Sequence, residues 1–114
     1  MIGNLSQIEH LSALMQHSQT RQEVISSNIA NVNTPMYKTQ DVRFEEVLEN
    51  LGKGIRQQAE VYDVEGLTVR QDGNNVDLNH ELAKLTKNVL AYQTYSQVVA
   101  SKLGTYRAAI TGRA

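Results

Sequence analysis

The sequence contains no cysteine and no tryptophan, a single proline, and a single phenylalanine. Without cysteine there can be no disulfide and no thiolate metal site, so the chain suits a reducing or an oxidising compartment equally. Few large rings are available to fill a compact core. Neither sign of charge dominates: eleven basic and twelve acidic side chains leave a net charge of −1. Bulk electrostatics therefore supplies no attraction to a nucleic-acid backbone or an anionic membrane, and neither partner is expected. No apolar run approaches the roughly 18 residues of a membrane span, so no direct insertion is expected either. The opening Met1-Ile2-Gly3-Asn4 lacks a basic segment followed by an apolar stretch, so export would have to proceed without a cleaved signal peptide.

What is present is helical periodicity. Leu78, Leu82, Leu85, Val89, Tyr92, Ser96, Val99, Leu103, Tyr106 and Ile110 follow one another in alternating steps of four and three. An average of 3.5 residues per turn keeps one helix face against a partner and implies left-handed supercoiling. Such a helix would run about 50 Å. Asp77 suits its N-cap, Glu81 its first turn, and Gly112 its stop. A second seam uses Ile8, Leu11, Met15, Ser18, Gln22, Ile25, Ile29 and Val32, predicting a helix that ends near Asn31 to Asn33. Thr34 precedes Pro35 and is pushed away from helical angles. Tyr95 and Val98 lie beside the C-terminal seam and widen it, as burial against more than one helix would require.

The segment between the helices has another character. Asp41 to Phe44 alternates polar and apolar residues like a strand, whereas Phe44, Val47, Leu48 and Leu51 repeat at helical spacing before Gly52 and Gly54. Val61, Tyr62, Val64, Leu67 and Val69 favour β-structure, and Asp72-Gly73-Asn74 suits a turn. The expected fold is mainly α: two long terminal helices pairing as a coiled-coil-like hairpin around a small, partly β or irregular insertion. The expected limits are 1–33 for the N-terminal helix, 34–75 for the insertion and 76–114 for the C-terminal helix, within one domain. The long helix carries more apolar seam than the shorter one can cover, and that excess points to a partner chain.

No constellation for chemistry emerges. His10 and His17 are two helical turns apart and His80 stands alone, so all three are expected as solvated helix-surface residues. Ser26 and Ser27 lie in no Gly-x-Ser-x-Gly elbow, and Gly52-Lys53-Gly54 lacks the other positions of a phosphate loop. Adjacent Glu45 and Glu46 would diverge around a helix. No catalytic, cofactor or metal site is assigned, and no enzymatic activity is expected.

One motif is specific. Ser26-Ser27-Asn28-Ile29-Ala30-Asn31-Val32-Asn33-Thr34-Pro35-Met36-Tyr37-Lys38 resembles the N-terminal motif of the flagellar rod, hook and hook-associated proteins, in which a glycine usually follows the proline. The resemblance singles out Ser27, Asn28, Ile29, Ala30, Asn31, Asn33, Thr34, Pro35 and Tyr37 as motif and assembly residues. Asn28, Asn31 and Asn33 would satisfy the backbone at the bend into the insertion. It also implies a structural subunit of the bacterial flagellar basal-body rod, exported from the cytoplasm by the flagellar type III apparatus and spanning the periplasm. Its partners would be copies of itself, other rod proteins, and the junction protein at the membrane ring. The packing seam is assigned to Leu11, Met15, Ile25 and Ile29 on one helix, facing Leu78, Leu82, Leu85, Val89, Tyr92, Val99, Leu103, Tyr106 and Ile110 on the other. A soluble coiled-coil adaptor or export chaperone is the alternative, which accounts for the heptads but not for the asparagine-rich motif. Met36 resists the positive φ that a type II turn requires at this place, so a type I turn or a helical start is predicted at Pro35-Met36.

Overall fold

The computed structural model describes residues 2–48 and 55–112. Helix α1 covers Ile2–Ala30, strands β1 (Gln40–Leu48) and β2 (Ile55–Asp63) form an antiparallel hairpin, and helix α2 covers Leu78–Thr111. The fold is mainly helical, with two long helices and a small two-stranded sheet between them. Cross-helix contacts descend in order, Asn28 to Glu81, Ser18 to Asn88 and Gln7 to Lys102, which makes the pair antiparallel. The molecule extends 65 × 38 × 18 Å, with a radius of gyration of 18.8 Å, against about 13 Å for a compact chain of this size.

Helix α2 begins and ends as its sequence dictates. Asp77 accepts a hydrogen bond from the His80 amide at 3.2 Å, and Glu81 sits in the first turn where the helix dipole favours a carboxylate. Gly112 takes φ +67° and returns its amide to Ala108 O.

The face that α2 turns to α1 coincides only in part with the apolar row. Of the seam drawn from the heptad, Leu85, Val89, Tyr92, Val99 and Tyr106 are partly covered. Leu78, Leu82, Leu103 and Ile110 stand outward, at 41, 44, 50 and 64 % exposure. Their places on the covered side fall one residue earlier in most turns, at Glu81, Asn88, Tyr95 and Lys102. Buried Glu81 and Asn88 are held on the covered side by polar partners on α1. Tyr95 is half-buried and Val98 is 37 % exposed. On α1 the covered positions include Leu11, Met15, Ser18, Ile25 and Ile29, while Gln22 is exposed.

Two features of the insertion correct the sequence expectation. Phe44 to Leu48 continue β1 rather than turning as a helix, because each residue of β1 has a partner in β2, from Gln40 opposite Asp63 to Leu48 opposite Ile55. Leu51, Gly52 and Gly54 lie outside the described residues. Period-two geometry turns Val42 and Phe44 toward α1 and Arg43 to the outer face. There Arg43 binds Glu60 at 3.0 Å and lies over the Tyr62 ring at 4.5 Å. Val64 to Val69 form no strand.

His17 is the second correction. It is not a solvated side chain: its ring stacks on Phe44 at 3.9 Å between centroids and 15° between planes. Arg21 lies 5.8 Å from the same ring. Partial burial, then the positive field of Arg21, then His10, hold the imidazole below its ordinary pKa of 6.5. The folded chain therefore binds that proton less readily than the unfolded chain, and acid favours release of the stack. The stabilisation is present above pH 6.5 and is lost as pH falls through the lowered folded value. Protection of the Gln40–Leu48 amides, taken relative to their intrinsic exchange rates, should fall on acidification below pH 6.5, and the extra loss should vanish in His17→Gln.

Candidate functional site

Among the described residues only Ile25, Val42 and Val76 are buried apolar side chains, while Ser18, Asn28, Thr39, Asn74, Asn75, Glu81 and Asn88 are buried polar ones. A small interior dominated by polar groups is held together by hydrogen bonds, and each group there must find its partner. Nearly all do; the Thr39 hydroxyl is the one buried side-chain oxygen left without one among the described residues.

The junction forms where α1 ends, the hairpin begins and α2 starts. Asn28, fully buried in the last turn of α1, makes four bonds. Its amide donates to Gln40 O at 2.7 Å and to Glu81 Oε2 at 3.0 Å, and its Oδ1 accepts from the Tyr37 hydroxyl and the Gln40 amide, both at 3.0 Å. One side chain thus ties both helices to the first strand. The Glu81 carboxylate, 1 % exposed, has its other oxygen 3.2 Å from Lys84 Nζ. A buried carboxylate is tolerable only with this much compensation.

Asn74 is the second anchor. Its amide hydrogens are shared among the carbonyls of Asn31 at 2.8 Å, Val32 at 3.1 Å and Thr34 at 2.9 Å, and its Oδ1 accepts from the Val76 amide at 2.7 Å. Three carbonyls just beyond the end of α1 are satisfied by a residue 40 to 43 positions away. Asn75 Oδ1 accepts from the Thr39 amide at 2.7 Å, and Arg70 reaches the carbonyls of Val76 and Val32. Farther along the pair, buried Asn88 donates to Ser18 O at 2.7 Å. These bonds hold Glu81 and Asn88 on the covered side of α2, while Leu78, Leu82, Leu103 and Ile110 of its apolar row are exposed.

The motif residues divide accordingly. Ser27 Oγ lies 3.4 Å from the Tyr37 hydroxyl, and Asn31 bonds back to Ser27 O and receives the Thr34 hydroxyl. Ile29 is half-buried, whereas Ala30, Asn33, Thr34 and Pro35 are exposed. Of the three asparagines expected at the bend, Asn28 and Asn31 bond to backbone there; the structure gives Asn33 no such bond. Asn74, Asn75 and Arg70 were not singled out as anchors by sequence, although Asn74 and Asn75 follow directly on the Asp72-Gly73 turn.

Met36 overturns the turn prediction. It has φ +66°, and the Tyr37 amide donates to Thr34 O at 3.3 Å across it. With Pro35 at the second position and a positive φ at the third, this is the type II arrangement. The conformation costs a non-glycine residue about 1–2 kcal/mol. It is imposed from outside: the Met36 amide donates to Asp72 O at 2.9 Å, and Asn74 holds Thr34 O. Gly73, itself at φ +84°, leaves the space that the Met36 side chain enters.

No group of three or more His, Asp or Glu among the described residues is placed to hold a metal ion, and no described helix is long and apolar enough to cross a membrane. What the arrangement does is fix three segments in one geometry.

Residues 10–38, which hold most of α1 and the whole motif, match the family model described as "Flagella basal body rod protein". The chain is 35 % identical to the flagellar basal body rod protein FlgB of Aeromonas hydrophila, with 90 % of each chain covered. It is 33 % identical to that of Aquifex aeolicus over 82 % of this chain and 84 % of the relative. Against that of Bacillus subtilis the figures are 26 %, 92 % and 93 %. The chain belongs to the flagellar basal-body rod protein family. Its role is that of a structural rod protein of the flagellar basal body. In this family member the matched segment stops at Lys38, yet the junction it builds is completed by Arg70, Asn74, Asn75 and Glu81 from the other half of the chain. The rod-family motif here is half of a lock.

Proposed function

We propose that the chain reaches the periplasm through the flagellar type III apparatus without cleavage. There it assembles with copies of itself, other rod proteins and the junction protein at the membrane ring into a helical tubular shaft. The observation that carries this reading is the inverted distribution of polarity on α2. Glu81 and Asn88 are buried inside the monomer while Leu78, Leu82, Leu103 and Ile110 are exposed along one side of a helix about 50 Å long. A monomer that kept this state would leave removable apolar area in water, at about 25 cal/mol per Å². Packing against neighbours covers it, and a head-to-tail contact that does not close yields a filament. Leu85, Val89, Tyr92, Val99 and Tyr106 continue the same apolar row and are partly covered within the chain. No catalytic step enters this role.

Leu103→Asp separates folding from assembly, because Leu103 is half exposed in the free chain. The variant should keep its helix content and lose less than about 0.5 kcal/mol of monomer stability, as surface changes usually do. It should nevertheless be missing from purified basal bodies, and the cells should be non-motile. Normal incorporation of Leu103→Asp would remove the outward row from the account.

A further inference from the structure

The turn at Met36 combines three properties that no structural requirement of a helix pair explains. The residue is 71 % exposed, its backbone is held at φ +66°, and its sulfur lies against Gly73, where a Cβ would collide with it. An exposed thioether is open to oxidation, and sulfoxide formation turns a flexible apolar side chain into a polar, chiral one. Met15, in contrast, is half-buried on the side of α1 that faces α2.

We propose that Met36 is a site of reversible oxidation and that its sulfoxide unlocks the junction in the unassembled chain. The oxidant class is a hydroperoxide. A sulfur lone pair attacks the terminal peroxide oxygen, the S–O bond forms as the O–O bond breaks, and the proton on the transferred oxygen passes to the departing hydroxide or alkoxide, leaving the sulfoxide and water or an alcohol. The sulfur is oxidised by two electrons and the peroxide is reduced. The added oxygen makes polar a sulfur that abuts Gly73, so solvation of the S–O bond draws the side chain out of its seat. The positive φ then rests on the Met36 amide bond to Asp72 O and on the Asn74 bond to Thr34 O. Those bonds belong to the network that joins α1 to the start of α2, so their loosening reaches the root of both helices.

Hydrogen peroxide applied to the purified full chain tests this by peptide mass spectrometry and residue-level hydrogen exchange. Met36 should oxidise about tenfold faster than Met15, following exposure. In the oxidised chain the protection of the Met36 and Gly73 amides should fall by about tenfold, one factor of ten in the opening equilibrium. Methionine sulfoxide reductase should restore it, a readout that needs no variant. Met15→Leu should respond to peroxide like the parent chain, and Met36→Leu should keep its protection under the same treatment. Equal oxidation of Met15 and Met36, unchanged protection in the oxidised chain, or a loss that persists in Met36→Leu would each overturn the proposal.

Discussion

Asn28→Ala is expected to destabilise the chain by about 3–4 kcal/mol, because it removes four hydrogen bonds at one fully buried position. The size follows from what is left behind rather than from what is lost. Gln40 O and Gln40 N–H lose a partner near the start of the hairpin. The Glu81 carboxylate, 1 % exposed, keeps only Lys84. An uncompensated buried carboxylate is among the costlier defects a fold can carry. Typical domains hold about 5–15 kcal/mol of stability, and a chain with three buried apolar side chains among its described residues belongs at the low end. Denaturant titration followed by helix circular dichroism should show most of the margin gone. Ser26→Ala, exposed in the adjacent turn, should shift the midpoint by less than about 0.5 kcal/mol. Equal effects of the two substitutions would mean that the junction does not hold the helices together.

Gly73→Ala should cost about 2–3 kcal/mol for two separable reasons. The first is the left-handed φ of +84°, which an alanine adopts at a penalty of about 1–2 kcal/mol. The second is collision with Met36, whose Cα would lie 3.3 Å from the new methyl and whose sulfur lies nearer still. Both reasons act on the turn that presents Asn74 to three carbonyls. Combining Gly73→Ala with Met36→Gly removes the collision with the Met36 side chain and leaves the φ penalty in place. The double variant should therefore recover about 1 kcal/mol relative to the sum of the two single changes, measured as a double-mutant cycle. Strict additivity would show that the Met36 side chain does not occupy the space above Gly73.

These two expectations mark where sequence reasoning ended. The helices were readable because their periodicity and caps are local: Asp77 accepts from an amide three residues on, and the Gly112 amide donates to a carbonyl four residues back. The hairpin was half readable. Phe44, Val47 and Leu48 fit a helical spacing as well as a strand, and pairing with Ala59, Arg56 and Ile55 decides between them, which only tertiary context supplies. The rotation of α2 could not be read from the heptad. Apolar rows predict that Leu82 and Leu103 face α1 only if apolar area governs the pair, and here Asn28, Glu81 and Asn88 govern it instead. Long-range asparagine contacts leave no periodic trace, so Asn74 reads as an ordinary turn residue until its partners are seen. Met36 shows the same limit in the backbone. Its intrinsic preference against positive φ is correct, and bonds from Asp72 and Asn74 override it.

The outward apolar row and the polar junction have one explanation in common. Hydrogen bonds specify the monomer's geometry at small net gain, and on the proposed reading apolar burial is kept for contact between chains. That division would suit a subunit whose stable form is a polymer. It also separates the expected effects: changes at Asn28 or Gly73 should act on the monomer, and a change at Leu103 should act on assembly.

The most direct test of the central claim is to purify intact hook–basal bodies from the source bacterium and locate this chain by mass spectrometry and immunogold labelling. The account predicts that the chain is present in the rod and resists detergent extraction. Complete, functional basal bodies that lack it would contradict the account.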